Sequence, residues 1–304
     1  PAGGLLCPAG VAGRAGVVVT RLKAGTSRAF GSLLQRICMN AVDFEAFVGR
    51  LADLSGEAIM PFFRSALGAQ NKAASGAFDP VTEADRAAEV AMRRQIEAQF
   101  PAHGIVGEEF GATREDAAYV WVLDPVDGTK SFISGLPMWG TLIGLKHNGR
   151  PCYGMMSQPF TRERFFGDGA ASWWIGPAHR GQGQERRRLR TRACASVSEA
   201  TLMTTSPRLF SQEKRAAYLR VEEQARIPRY GGDCYAYCAL AAGHVDLVIE
   251  DGLNAYDIVA LIPIIRGAGG VVTTWDGGDA SDGGSIIAAG DARVHEQAMK
   301  LLRG

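Results

Sequence analysis

The run Trp121-Val122-Leu123-Asp124-Pro125-Val126-Asp127-Gly128-Thr129 takes an apolar segment straight into two carboxylates three positions apart. A short, unbroken apolar run reads as a buried strand, and its charged residues must sit where the strand leaves the core. The chain is thereby committed to a sheet whose strand ends carry chemistry. Hard divalent cations take oxygen ligands, and a strand-to-turn junction can aim two carboxylates and an intervening carbonyl at one point. Pro125 fixes φ and withholds a donor, which stiffens the turn. Gly128 lets the backbone pass close to an anion, and the Gly128 and Thr129 amides could grip phosphate oxygens if a short helix begins there. The same residue types also make ordinary surface turns, so this segment does not decide the function alone.

The surrounding periodicity predicts an α/β pattern in two lobes. Apolar residues recur at three- and four-residue steps from Asp43 to Phe63, an amphipathic helix. A polar loop, Lys72 to Asp79, leads to a second helix that Pro101 stops, with Thr82 and Asp85 reading as a capping box. Gly104–Gly107 and Tyr119–Leu123 read as buried strands running into acidic residues. Strands Met138–Lys146 and Cys152–Gln158 flank an Asn148-Gly149 hairpin signal, so this sheet is at least partly antiparallel. The Gly-rich stretch Gly176–Gln184, followed by five arginines between Arg186 and Arg192, marks the lobe boundary. Beyond it the expected order is strand Ala200–Thr205, helices Gln212–Ala225 and Asp233–Ala242, strand Val245–Ile249, helix Asp257–Arg266, strands Val271–Trp275 and Ser285–Ala289, and a terminal helix.

Composition narrows the function classes. A formal net charge of +1 over 304 residues gives no overall field for nucleic acid or an anionic membrane, so an anion must be gathered by a local site. The arginine run has no interleaved aromatics in sequence and reads as a solvated edge. No apolar run is long enough to span a bilayer. The six cysteines lack metal-site spacing or the density of a disulfide scaffold, which fits a reducing cytoplasm; Cys234 and Cys238 read as packed side chains. Residues 1–42 hold no Asp or Glu, and they carry Arg14, Arg21, Lys23, Arg28 and Arg36. They read as an extension preceding a start at Met39, the alternative being an organelle transit peptide. The expected organisation is thus a leader over 1–42, an N-terminal α+β lobe over 43–185 with most acidic ligands, and a C-terminal α/β lobe over 186–304.

Further acidic features join the first. Val106-Gly107-Glu108-Glu109 ends a second strand in paired carboxylates, Thr82-Glu83-Ala84-Asp85 offers another, and Asp257 opens an apolar helix. Each alone reads better as a cap or a solvated loop than as a ligand. Together, G-E-E at 107–109, D-P-V-D-G-T at 124–129 and A-Y-D-I-V-A at 255–260 resemble the inositol monophosphatase family over about residues 43–302. Tyr256 departs from the tryptophan many members carry, but stays aromatic. The resemblance implies a layered α-β-α-β-α sandwich with the metal site between two lobes, and a magnesium-dependent phosphomonoester hydrolase with two or three Mg2+ ions. It implies that Glu108, Asp124 and the Val126 carbonyl hold one magnesium and that Asp124, Asp127 and Asp257 hold a second. It further implies that Asp127, Gly128 and Thr129 grip the phosphate, that Glu108 and Thr129 orient the attacking water, and that Asp85 pairs Thr129. A cytoplasmic homodimer acting on a small soluble ester is expected from it.

Substrate choice is expected in the C-terminal lobe, at Asp233, Glu250 and Asp257. Gly231-Gly232-Asp233-Cys234-Tyr235-Ala236-Tyr237, with Thr204-Thr205-Ser206-Pro207-Arg208-Leu209-Phe210, resembles the histidinol-phosphate phosphatase branch of that family. Carboxylates at Asp233 and Glu250 suit a cationic leaving group, whereas inositol offers only hydroxyls. Asp233 reads equally as a helix cap; the alternative is an inositol monophosphatase of broad specificity, and a remoter one is a non-catalytic metal- or phosphate-binding regulator on the same fold.

Overall fold

The apolar runs assemble into two sheets in the computed structural model, which describes residues 44–65, 80–179 and 182–304. The expectations for residues 1–42 and for the loop at 72–79 lie outside the described residues. Both sheets belong to the unit Ala46–Gly304. The first contains β1 (Gly104–Gly107), β2 (Gly111–Thr113), β3 (Tyr119–Asp127), β4 (Gly140–His147), β5 (Arg150–Gln158), β6 (Glu163–Gly167), β7 (Ser172–Pro177) and β8 (Gln184–Arg188), in the order β2-β1-β3-β4-β5-β6-β7-β8. Only β1 and β3 pair parallel in it. The β4–β5 hairpin turns through Asn148 and Gly149, both at positive φ, with His147 opposite Arg150. The second sheet contains β9 (Thr201–Thr204), β10 (Ile227–Tyr230), β11 (Leu247–Leu253), β12 (Val271–Thr274) and β13 (Gly284–Ala289), in the order β10-β9-β11-β13-β12.

Helices fill the layers around the sheets. α1 (residues 44–59) and α2 (Pro80–Gln99) cover the outer face of the first sheet, where Ile59, Phe63, Ala84 and Ala88 pack on Val126, Phe132 and Trp139. Trp139 is wholly buried there, and truncating such a side chain to alanine costs about 3–5 kcal/mol. Between the sheets lie α5 (Asp233–Ala241), α6 (Ala255–Ile258) and α7 (Leu261–Gly267), with Leu240, Ile262 and Ile265 joining Leu142 and Met156 to Val248 and Ile286. α4 (Gln212–Glu222) and α8 (Ala292–Arg303) cover the far face of the second sheet, where Tyr218, Val221 and Val294 meet Leu247, Ile249 and Ile287. The result is the layered α-β-α-β-α sandwich.

Several expectations need correcting. α2 begins at Pro80, so positions 82 and 85 lie inside its first turns and not at a cap ahead of them. The helix expected over 257–266 is two helices, and Asp257 sits in the first turn of α6, behind an Asn254 cap. The lobe boundary expected after residue 185 falls inside β8, and the chain leaves the first sheet only after Arg188. The arginine run therefore opens on an edge strand, where aromatic rings absent from its sequence neighbourhood meet it in space. Arg187 lies 4.0 Å from the Trp174 ring centroid, and Arg186 lies 4.6 Å from that of Trp173.

Candidate metal centre

Positions 124 and 127 would face opposite sides of a regular strand, because side chains alternate. They converge because β3 carries a bulge: Asp124 pairs with Leu142 and Asp127 with Gly140, so three steps on β3 answer two on β4. The extra residue restores the face. Thr141 donates to the Pro125 carbonyl (2.8 Å) and the Val126 amide donates to Asp124 Oδ1 (3.1 Å), which fixes the turn. Gly128 follows at φ 87°, and a Cβ there would lie 2.8 Å from the Met138 carbonyl oxygen, so no larger residue fits. α3 (Thr129–Ile133) starts at once.

Oxygens of Asp124, Asp127 and Asp257 all lie within 4.8 Å of one another. Asp257 arrives on α6, where its other duty is to accept from the Asn254 amide (2.6 Å) in a capping box. Cap and cluster member are thus the same residue. Glu108 leaves the end of β1 with its amide donating to the Leu123 carbonyl (3.2 Å), and its carboxyl lies beside that of Asp124. Asp85 is buried on α2, close enough to Asp124 to repel its charge. Thr129 donates to the Val126 carbonyl oxygen (3.2 Å), the atom expected as a ligand; a carbonyl has a second lone pair for a cation.

The electrostatics of this cluster call for positive charge. Burial, then repulsion from Asp127, Glu108, Asp257 and Asp85, holds the Asp124 carboxyl well above the usual aspartate range. Burial, then Asp233 and Asp257, pushes Asp127 up to about 8. Burial also raises Glu108 and Asp257. Among the described residues, no lysine or arginine pairs with Asp124, Asp127 or Asp257. An all-oxygen donor set, crowded and lacking a protein cation, fits a hard divalent ion such as magnesium.

The substrate-side expectations divide. Asp233 opens α5 at φ 44°, and its carboxylate accepts from Ser131 Oγ (2.9 Å) while the next amide, Cys234 N–H, donates to Asp127 Oδ2 (2.7 Å). It is therefore a neighbour of the cluster. Glu250 is buried and already accepts from Thr204 Oγ1 (3.0 Å), the Thr205 amide (2.5 Å) and Thr205 Oγ1 (2.9 Å). Those bonds hold it at the β9 end, within electrostatic reach of Asp233. Ser131 and the Cys234 amide escaped the sequence reading. The signal for Ser131 was its place two residues beyond Thr129, on the same short helix.

Residues 42–304 match the inositol monophosphatase family. The bifunctional phosphatase IMPL2, chloroplastic, of Arabidopsis thaliana is 46% identical over 85% of this chain and 75% of its own length. A histidinol-phosphatase of Mycobacterium tuberculosis is 32% identical over 73% of this chain and 84% of its own. A solved inositol monophosphatase from Zymomonas mobilis superposes with a TM-score of 0.76 at 39% identity, covering 86% of this chain and 98% of that one. With the acidic motifs in place on the shared fold, the chain belongs to the inositol monophosphatase family of metal-dependent phosphatases.

Proposed function

We propose that this protein hydrolyses the phosphomonoester of histidinol with magnesium as cofactor, two or three ions per site. The observation that carries the reading is the Asp233 carboxylate standing beside the Asp124–Asp127–Asp257 cluster, where a leaving group would lie. An ammonium or imidazolium there gains a charge-assisted hydrogen bond that a polyol cannot make. Histidinol-phosphatases among the relatives support the same reading. Glu108, Asp124, the Val126 carbonyl, Asp127 and Asp257 would hold the metal. Bound magnesium supplies a lowered water pKa and neutralises phosphate charge. Glu108 and Thr129 orient the water, the Gly128 and Thr129 amides bind the phosphate, and Asp85 steadies the threonine. A homodimer in the cytoplasm completes the proposal, with organelle import as the alternative.

The test is the ratio of catalytic efficiencies on histidinol phosphate and inositol 1-phosphate, in the parent and in Asp233→Asn. Asparagine tolerates positive φ, so it removes the charge without the backbone strain that alanine would add. Loss of a charge-assisted hydrogen bond of about 1.5–3 kcal/mol predicts a fall of roughly ten- to a hundred-fold on histidinol phosphate, and a smaller fall on the inositol ester. A parent that prefers the inositol ester, or an equal loss on both, would replace this reading with inositol monophosphatase, which the Zymomonas structure favours.

A further inference from the structure

Glu89 is fully buried on α2. Its carboxylate accepts from the Glu109 amide (2.8 Å), the Phe110 amide (3.3 Å) and Arg93 Nε (2.6 Å). These amides belong to the three-residue turn, Glu108–Glu109–Phe110, that joins β1 to β2. The amide before them, that of Glu108, is tied to Leu123 on β3. Three successive amides of the turn are therefore anchored, two of them by one side chain. Arg93 closes the frame by donating to the Gly111 carbonyl and, at 3.4 Å, to Thr113 Oγ1. The fit leaves no slack: a Cβ at position 107 would lie 2.0 Å from Glu89 Oε1.

A buried ion pair is a weak source of net stability, since desolvation offsets much of the attraction. What this one holds specifically is the backbone of the turn from which Glu108 projects. We propose that Glu89 is a positioning residue for the metal centre, acting through the Glu109 and Phe110 amides to aim the Glu108 carboxylate at the Asp124 side of the cluster. The inference rests on the reading of Glu108 as a ligand. Groups that orient a ligand typically contribute 10- to 100-fold in metal affinity when removed. Glutamine at position 89 keeps the shape, but its NH2 faces donors, so one of the three bonds is replaced by repulsion.

The experiment is calorimetric titration of magnesium chloride into metal-stripped protein: parent, Glu89→Gln, Glu108→Gln and the double variant. Both single variants should bind magnesium more weakly, Glu89→Gln by roughly 10- to 100-fold. The double variant should bind no more weakly than Glu108→Gln alone, because Glu89 then has nothing left to aim. A general loosening of the fold would multiply the two effects. Parent-like binding by Glu89→Gln, or multiplicative losses in the double, overturns the positioning role while leaving Glu108 a ligand. Parent-like binding by Glu108→Gln overturns the ligand reading itself, and the proposal with it. If Glu89→Gln does not fold, Glu89→Asp decides by the same pattern: it keeps the charge but withdraws the carboxylate from the amides by one methylene.

Discussion

Asp127 is asked to do opposite things by its surroundings. Cys234 gives it an amide donor, while burial and the neighbouring carboxylates raise it to about 8 from an ordinary 3.8. A carboxyl raised in the folded state binds a proton that the unfolded chain has already released, so stability falls as pH climbs between these values. In chelator, the parent should melt at progressively lower temperature from about pH 4 to about pH 8, and added magnesium should reverse the loss most at the upper end. Asp127→Asn keeps the acceptor for Cys234 and removes the charge. Its melting temperature in chelator should be flatter with pH, and its turnover nearly abolished; a parent-like slope with retained turnover would remove Asp127 from the metal centre. Thr129 is a separate case, being exposed and bonded through its hydroxyl to the Val126 carbonyl. If its hydroxyl orients water, Thr129→Ala lowers kcat far more than it raises KM, and an unchanged kcat assigns it to the turn alone.

Among the elements, those with strong periodicity were legible and those defined by their partners were not. The runs at 104–107 and 119–123 and the Asn148-Gly149 hairpin emerged where apolar pattern and turn chemistry agreed. β6, β7 and β10 were missed: Ile227–Tyr230 is exposed along its length and is held as a strand by β9, not by its own pattern. β8 is rich in arginine, and becomes a strand because β7 offers it a ladder. In the site, the acidic motifs were readable because their residue types are chemically unusual at strand ends. The bulge that makes Asp124 and Asp127 converge was not, since register exists only between two strands. The bonds that hold Glu250 were hidden for the same reason, its Thr204 and Thr205 partners lying at the end of another strand. Glu250→Gln should raise KM if the carboxylate reaches the leaving group; a lower melting temperature, by about 1–3 kcal/mol of stability as donors lose their acceptor, with KM unchanged would assign it to the frame alone.

At the scale of the whole molecule, β8 is the last strand of the first sheet, no further strand pairs with it among the described residues, and a sheet edge of this kind is a template for a passing strand. Flat guanidinium groups stacked over Trp173 and Trp174 keep that border charged and its rings covered at once. The consequence concerns colloidal behaviour more than catalysis: the arginine stack is expected to guard against fibrillar self-association. Replacing Arg186, Arg187 and Arg188 by threonine preserves strand propensity but removes the guard. Light scattering of a concentrated solution held at about 37 °C should then rise for the triple variant while the parent stays clear, with phosphate release per folded molecule unaltered. Equal clarity in both would mean that the border is protected by its twist, and that the arginines there are free to change.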